Sequence, residues 1–194
     1  MQLNILWTGR EYYSLENCLV DFSPAGTIIT STIIGQYEGR LYQVDYAIQT
    51  NERGETVFAD VLCRHSNHKE HLLLQGDGKG NWTLNGERAE QFAGCIDVDL
   101  PLTPFTNTLP IRRLGLQPGA TQEIKVVYLD MLERQLRPVR QRYTCVLAEQ
   151  YHYENVPNDF EATITVDQHG LVIDYPALFV RTNVLEANYC SSHL

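Results

Sequence analysis

Hydrophobic side chains recur at every second position along most of this chain. In "RLYQVDYAIQ", Tyr42, Val44, Tyr46 and Ile48 alternate with Leu41, Gln43, Asp45, Ala47 and Gln49. In "TVFADVLCRH" the alternating set is Val57, Ala59, Val61 and Cys63, and in "EATITVD" it is Ala162, Ile164 and Val166. Successive side chains of a strand point to opposite faces, so this period gives strands with one apolar and one wet face. Turn-forming stretches separate the runs at short intervals: "SPAG", "YEGR", "NERGE", "GDGKGN", "LNGE" and "DQHG". Glycine supplies the backbone conformation that hairpins need. The pattern predicts about ten to twelve strands in an antiparallel meander. A sheet of that width must curl, giving an all-β single domain with a bent sheet or half-open barrel and little helix.

The stretch between Pro101 and Pro110 carries the weakest strand signal. Thr103 is placed to cap a helical turn with Pro104 at its first position, and Pro110 is expected to stop it. The segment before it, "GCIDVDL", alternates Ile96, Val98 and Leu100 against Asp97 and Asp99, and the segment ends on Arg112 and Arg113. The strand places its apolar residues in the core, so the acids face away from that layer unless both faces are covered.

These residues carry a resemblance. "GCIDVDLPLTPFTNTLPIRRL", with "ILWTG", "GQYEGRLYQVDYAI", "GNWTLNG", "RQRYT" and "EATITVDQHGLVIDYPALFVR" in the same order, resembles the bacterial glycolipid-binding family, formerly a domain of unknown function. The resemblance runs from about Leu3 to Arg181, with residues 182–194 read as a surface tail of one domain spanning 1–194. It implies a spiral or half-open antiparallel barrel similar to the bacterial lipoprotein carriers. It implies no catalytic residue and no cofactor.

Bulk properties narrow the function. A chain of 194 residues, 43% hydrophobic and 20% charged, is an ordinary globular length and composition. A net charge of -9 opposes binding to duplex nucleic acid, which needs basic surface. No apolar run has the length of a membrane span, and the first twenty residues lack the pattern of a signal peptide. Five scattered cysteines without a C-x-x-C pair suit a reducing, cytoplasmic setting, with cysteine as a small core residue.

Three readings of the motif compete. As a structural brace, Asp97 and Asp99 pair with arginines, which donate bidentately to carboxylates. As a binding site for an amphipathic small molecule, a glycolipid or lipid, the head group meets Arg112, Arg113, Asn107 and the two aspartates, with Arg142 on a nearby strand, while the apolar part lies against Tyr42 and Tyr46. As a carbohydrate-active enzyme, Asp97 and Asp99 act as paired carboxylates. Binding without catalysis is the reading adopted. The run "HSNHKEH" is read as a solvated hairpin, with His65 and His71 flanking a tip that carries His68, and no metal is expected there.

Overall fold

Fifteen strands join one sheet in the computed structural model, which describes residues 1–186. Six long strands lead: β1 (Gln2–Gly9), β2 (Ser14–Ser23), β3 (Gly26–Tyr37), β4 (Arg40–Thr50), β5 (Thr56–His65) and β6 (His68–Gly76). Short pieces follow: β7 (Trp82–Leu84), β8 (Glu87–Arg88) and β9 (Asp97–Asp99). After the single helix α1 (Phe105–Leu114) come β10 (Thr121–Asp130), β11 (Gln135–Leu147), β12 (Gln150–Val156), β13 (Glu161–Val166), β14 (Val172–Tyr175) and β15 (Phe179–Glu186). The strands beyond the expected ten to twelve are mostly two to four residues long, as in β7, β8, β9 and β14, too short to carry a period.

The sheet runs in the order β8 to β1, then β15 down to β9, so the two ends of the chain meet at its centre through β1 and β15. Every pair is antiparallel except β9 with β10, which is parallel and departs from a pure meander. The sheet is curved and open: β8 and β9 are its two ends and do not pair. Residues 182–186, expected in a tail, extend β15 along β1, with Val184 opposite Ile5 and Glu186 opposite Leu3. That tail's remaining residues, and Cys190 with them, lie outside the described residues.

The predicted apolar faces are the buried ones, except at the start of β5, where a register shift against β4 buries Thr56 and leaves Val57 only partly buried. Tyr42, Val44, Tyr46 and Ile48 all point inward, as do Ala59, Val61 and Cys63. Two cores result. One lies under β1 to β6 and takes in Trp82, Phe92 and the motif's Val98, Leu100, Leu102 and Phe105. The other lies under β11 to β15 and takes in Ile111 of α1. Strand β10 separates them and is covered on both faces: Val127 and Leu129 belong to the first core, Ile124 and Val126 to the second. The sheet therefore spirals, with its β9–β10 end tucked into its own concave side. Trp7 also links the halves by donating from Nε1 to the Val172 carbonyl at 2.9 Å.

The motif fills the concave side. Thr103 holds the start of the helix, its hydroxyl accepting the Phe105 N–H at 3.0 Å, but Pro104 takes the N-cap position and Phe105, not Pro104, is the first helical residue. Pro110 does not end it. It sits inside α1, which runs to Leu114 and closes on left-handed Gly115. An internal proline costs about 3 kcal/mol. Here seven consecutive residues, Phe105 to Ile111, are buried and offset that cost. The β6–β7 turn docks on the motif's first residue: Gly94 donates to the Gly80 carbonyl at 2.9 Å. Gly80 has φ +87°, and a Cβ there would lie 2.7 Å from the Gly94 Cα. Gly80→Ala is expected to lower stability by more than about 1 kcal/mol, read from the urea midpoint. An unchanged midpoint would show that this contact is slack.

Candidate functional site

Strand β9 and helix α1 are held together by the motif's own polar side chains. Asp97 accepts two bonds from Arg113, 3.2 Å from Nε and 2.6 Å from Nη2. Its side chain is 1% exposed and that of Arg113 16%. Burial raises the Asp97 pKa, and Arg113 beside it opposes the rise. Asp99, on the same face, accepts from Thr106 Oγ1 at 3.0 Å and from Gln141 Nε2 at 2.7 Å. Both acids face the second core's side of the sheet, in register with Val126 and Tyr128 of β10, while Val98 faces the first core. The acids turn away from one apolar layer and toward another, because both faces of this edge are covered.

Beside this brace is a cavity of about 250 Å³. Asp99, Thr103 and Asn107 of the motif form its polar wall. Tyr128, Tyr153, Phe160, Tyr175 and Phe179 supply rings, and Glu11, Tyr12 and Leu178 also line it. The rings pack on one another: Tyr153, Phe160 and Tyr175 have mutual centroid distances of 6.1 to 6.2 Å and are steeply inclined. Asn107 is fixed by the Tyr143 hydroxyl, which donates to its Oδ1 at 2.9 Å. Tyr153 donates to Asn155 Oδ1 at 2.7 Å. Three larger hollows lie elsewhere among the described residues: those of about 440 and 850 Å³ are depressions on the outer face of β1 to β6, lined by residues such as Leu19, Thr30 and Asp60 or Leu15 and Ile34, and one of about 550 Å³ lies at the C-terminal end of α1, lined by Arg112, Gly115 and His169. The inner cavity has convergent polar groups over rigid aromatic walls, the usual character of a small-molecule site.

A second polar cluster lies behind the cavity. Glu16 Oε1 accepts from Ser31 Oγ at 2.7 Å, Tyr46 Oη at 2.7 Å and Thr103 Oγ1 at 2.9 Å. Glu16 is 2% exposed, and its Oε2 has no partner among the described residues. Burial pushes its pKa up to about 7, against the three hydroxyl bonds that lower it. Thr103 belongs to both groups, touching Glu16 behind and the cavity in front.

Of the residues singled out in the sequence, Asp99 and Asn107 meet at the cavity. Asp97 and Arg113 stand behind it as a closed pair. Arg112 points elsewhere: its guanidinium lies 4.0 Å over the Phe22 ring and donates to the His169 carbonyl at 2.6 Å. Arg142 is on the outer face of β11, between Glu123 and Glu154 at 3.5 Å each. Tyr42 and Tyr46, 2% and 3% exposed, lie in the filled first core. The cavity's Tyr12, Tyr128, Tyr153 and Tyr175 come from four strands or turns far apart in sequence, and no local pattern groups them. The histidine turn is tighter than expected: His65 pairs with His68, and His71 faces Leu62, with its Nε2 2.6 Å from Asp60 Oδ1. His152, Glu154 and Glu161 bring three potential ligand atoms within 4.8 Å, but Arg142 already occupies Glu154.

Comparison with known proteins settles the lineage. The family model described as "Putative glycolipid-binding" matches residues 4–181. The chain belongs to this family. A crystal structure at 1.80 Å of a DUF1089 family protein from Pseudomonas aeruginosa superposes with a TM-score of 0.79 at 36% identity, covering 86% of this chain and 91% of that one. Family membership and the spiral sheet thus agree with the resemblance carried by the motif. No curated protein matches the chain. No helix among the described residues is long and apolar enough to cross a membrane.

Proposed function

We propose that this protein binds the sugar head group of an amphipathic ligand, without catalysis, in the cavity between the motif and β10, β12 and β15. The observation that carries the reading is the lining: Asp99, Thr103 and Asn107 opposite Tyr128, Tyr153 and Tyr175. Carboxylate, hydroxyl and amide groups suit ring hydroxyls, and tyrosine faces suit the apolar side of a pyranose. The family description supports the same class of ligand. At about 250 Å³ the cavity takes one ring and not acyl chains, since drug-sized pockets run from about 300 to 1,000 Å³. The chains would remain outside. Retaining and inverting hydrolysis both use two flanking carboxyl groups. Here Asp97 is held by Arg113 and does not line the cavity, so the motif's own two carboxylates do not flank one space, which speaks against hydrolysis by that pair. The four described cysteines, all free and buried, support a reducing, cytoplasmic setting.

Calorimetric titration with octyl glucoside below its micellar concentration should show saturable binding. Methyl glucoside should reproduce it, because the ring carries the recognition. Leu178→Trp, which fills the partly buried lining from its edge, should abolish both with the fold intact. Absence of saturable binding by the native protein, or full binding by Leu178→Trp, would refute the site.

A further inference from the structure

The motif's two aspartates are nearly equivalent in sequence and unlike in structure. Asp97 has a guanidinium 2.6 Å away. Asp99 has none: its two donors, Thr106 and Gln141, are both neutral. Among the described residues no arginine, lysine or histidine lines the cavity that Asp99 faces. The cavity's other charged residue is Glu11, a second acid. A carboxylate accepts about four hydrogen bonds, so two donors leave both Asp99 oxygens with free capacity. Buried charges are paired or they are costly. The cavity thus offers an unpaired carboxylate, with aromatic rings around it whose faces attract cations.

We infer that the cavity selects a head group bearing an ammonium, with Asp99 as its counter-ion and the rings of Tyr153 and Tyr175 beside it. This rests on the head-group reading above and narrows it to an amine-bearing ring. An ammonium donates three hydrogen bonds, enough to reach the free lone pairs of Asp99 and one of the neighbouring oxygens. Burial raises the Asp99 pKa, Thr106 and Gln141 oppose that, and the nearby Asp130 adds to it. A cation would relieve both the burial cost and the repulsion. A phosphate, sulfate or uronate would meet two acids and no base, so anionic head groups are excluded by the same wall.

The test is a titration of the full chain with methyl glucosaminide, methyl glucoside, methyl glucuronide and glycerophosphoethanolamine. The glucosaminide should bind at least tenfold more tightly than the glucoside, and the glucuronide should not bind. Asp99→Asn should erase the amine's advantage, read as the ratio of glucosaminide to glucoside affinity, whatever it does to both. Should that variant unfold, Thr106→Val, which keeps the carboxylate and removes a neutral donor, should retain the preference for the amine. Equal affinity for glucoside and glucosaminide overturns the counter-ion role and leaves the head-group site standing. Binding of glycerophosphoethanolamine alone would overturn both the sugar reading and the exclusion of phosphate by the acidic wall. Binding of the glucuronide as tightly as the glucosaminide overturns the inference.

Discussion

Asp97→Ala is expected to cost about 3–5 kcal/mol of stability, the range for breaking a buried ion pair from one side. The substitution leaves the Arg113 guanidinium, 16% exposed, without its bidentate partner. Burial raises the Asp97 pKa and Arg113 opposes the rise, so desolvation offsets part of the pair's attraction. The large effect comes from the stranded charge, not from the pair's net worth. Glu55 lies close enough for Arg113 to help lower its pKa, and it offers the freed guanidinium a second partner. The effect should therefore fall toward the lower end. Asp97→Ala combined with Arg113→Met should recover most of the loss, since neither charge then remains. Urea midpoints of the three proteins decide the matter. A change below about 0.5 kcal/mol in Asp97→Ala, the level of an ordinary surface substitution, would show that Asp97 braces nothing.

That brace was legible in outline and not in detail. Acids two apart in a strand and paired arginines just after them named the right chemistry. The partner was decided by the helix: Thr106 and Arg113 lie seven residues apart, two turns, and so share a face toward Asp99 and Asp97. Arg112, one position earlier, is turned away by about 100° per residue and stacks on Phe22. By propensity alone the helix stops at Pro110, short of Arg113, and that geometry stays hidden. Local propensity spoke against the helix, and burial of Phe105 to Ile111 overrode it.

The inward face of β4 is legible because the period there is unbroken, whereas in β5 a register shift puts Thr56 inward in place of the phase that Val57 marks. The cavity was less visible. Asp99 and Asn107 belonged to the motif and were named. Tyr128, Tyr153 and Tyr175 arrive from β10, β12 and β14 through the spiral, which is a non-local consequence of β9 pairing in parallel with β10. Tyr42 and Tyr46 looked suitable for a ligand face because they alternate on an apolar strand. The same alternation serves a filled core, and the motif's Leu100, Leu102 and Phe105 belong to the core they enter.

Glu16 was in principle readable. It shares the inward phase of β2 with Cys18 and Val20, where a carboxyl breaks the pattern. What its partners are depends on Ser31, Tyr46 and Thr103, up to 87 residues away. Its raised pKa has a defined consequence for stability. The folded protein holds the Glu16 proton until about pH 7, whereas the carboxyl's ordinary value is 4.5. The unfolded chain therefore binds fewer protons than the folded one across this window. Stability contributed by Glu16 is full below pH 4.5 and is lost as pH rises toward 7. At 1.36 kcal/mol per unit, the loss is about 3 kcal/mol. Glu16→Gln keeps the acceptor oxygen for the three hydroxyls and cannot ionise. It should be more stable than the native protein at pH 8 by about that amount, and close to it at pH 5. Urea unfolding of both proteins at the two pH values measures the difference, and every other titrating group cancels in the comparison. Thr103 joins Glu16 to the cavity, its hydroxyl donating to Glu16 while its residue lines the cavity wall. An identical pH dependence in the two proteins would mean that Glu16 stays ionised in the core, its Oε2 satisfied by solvent entering behind Thr103.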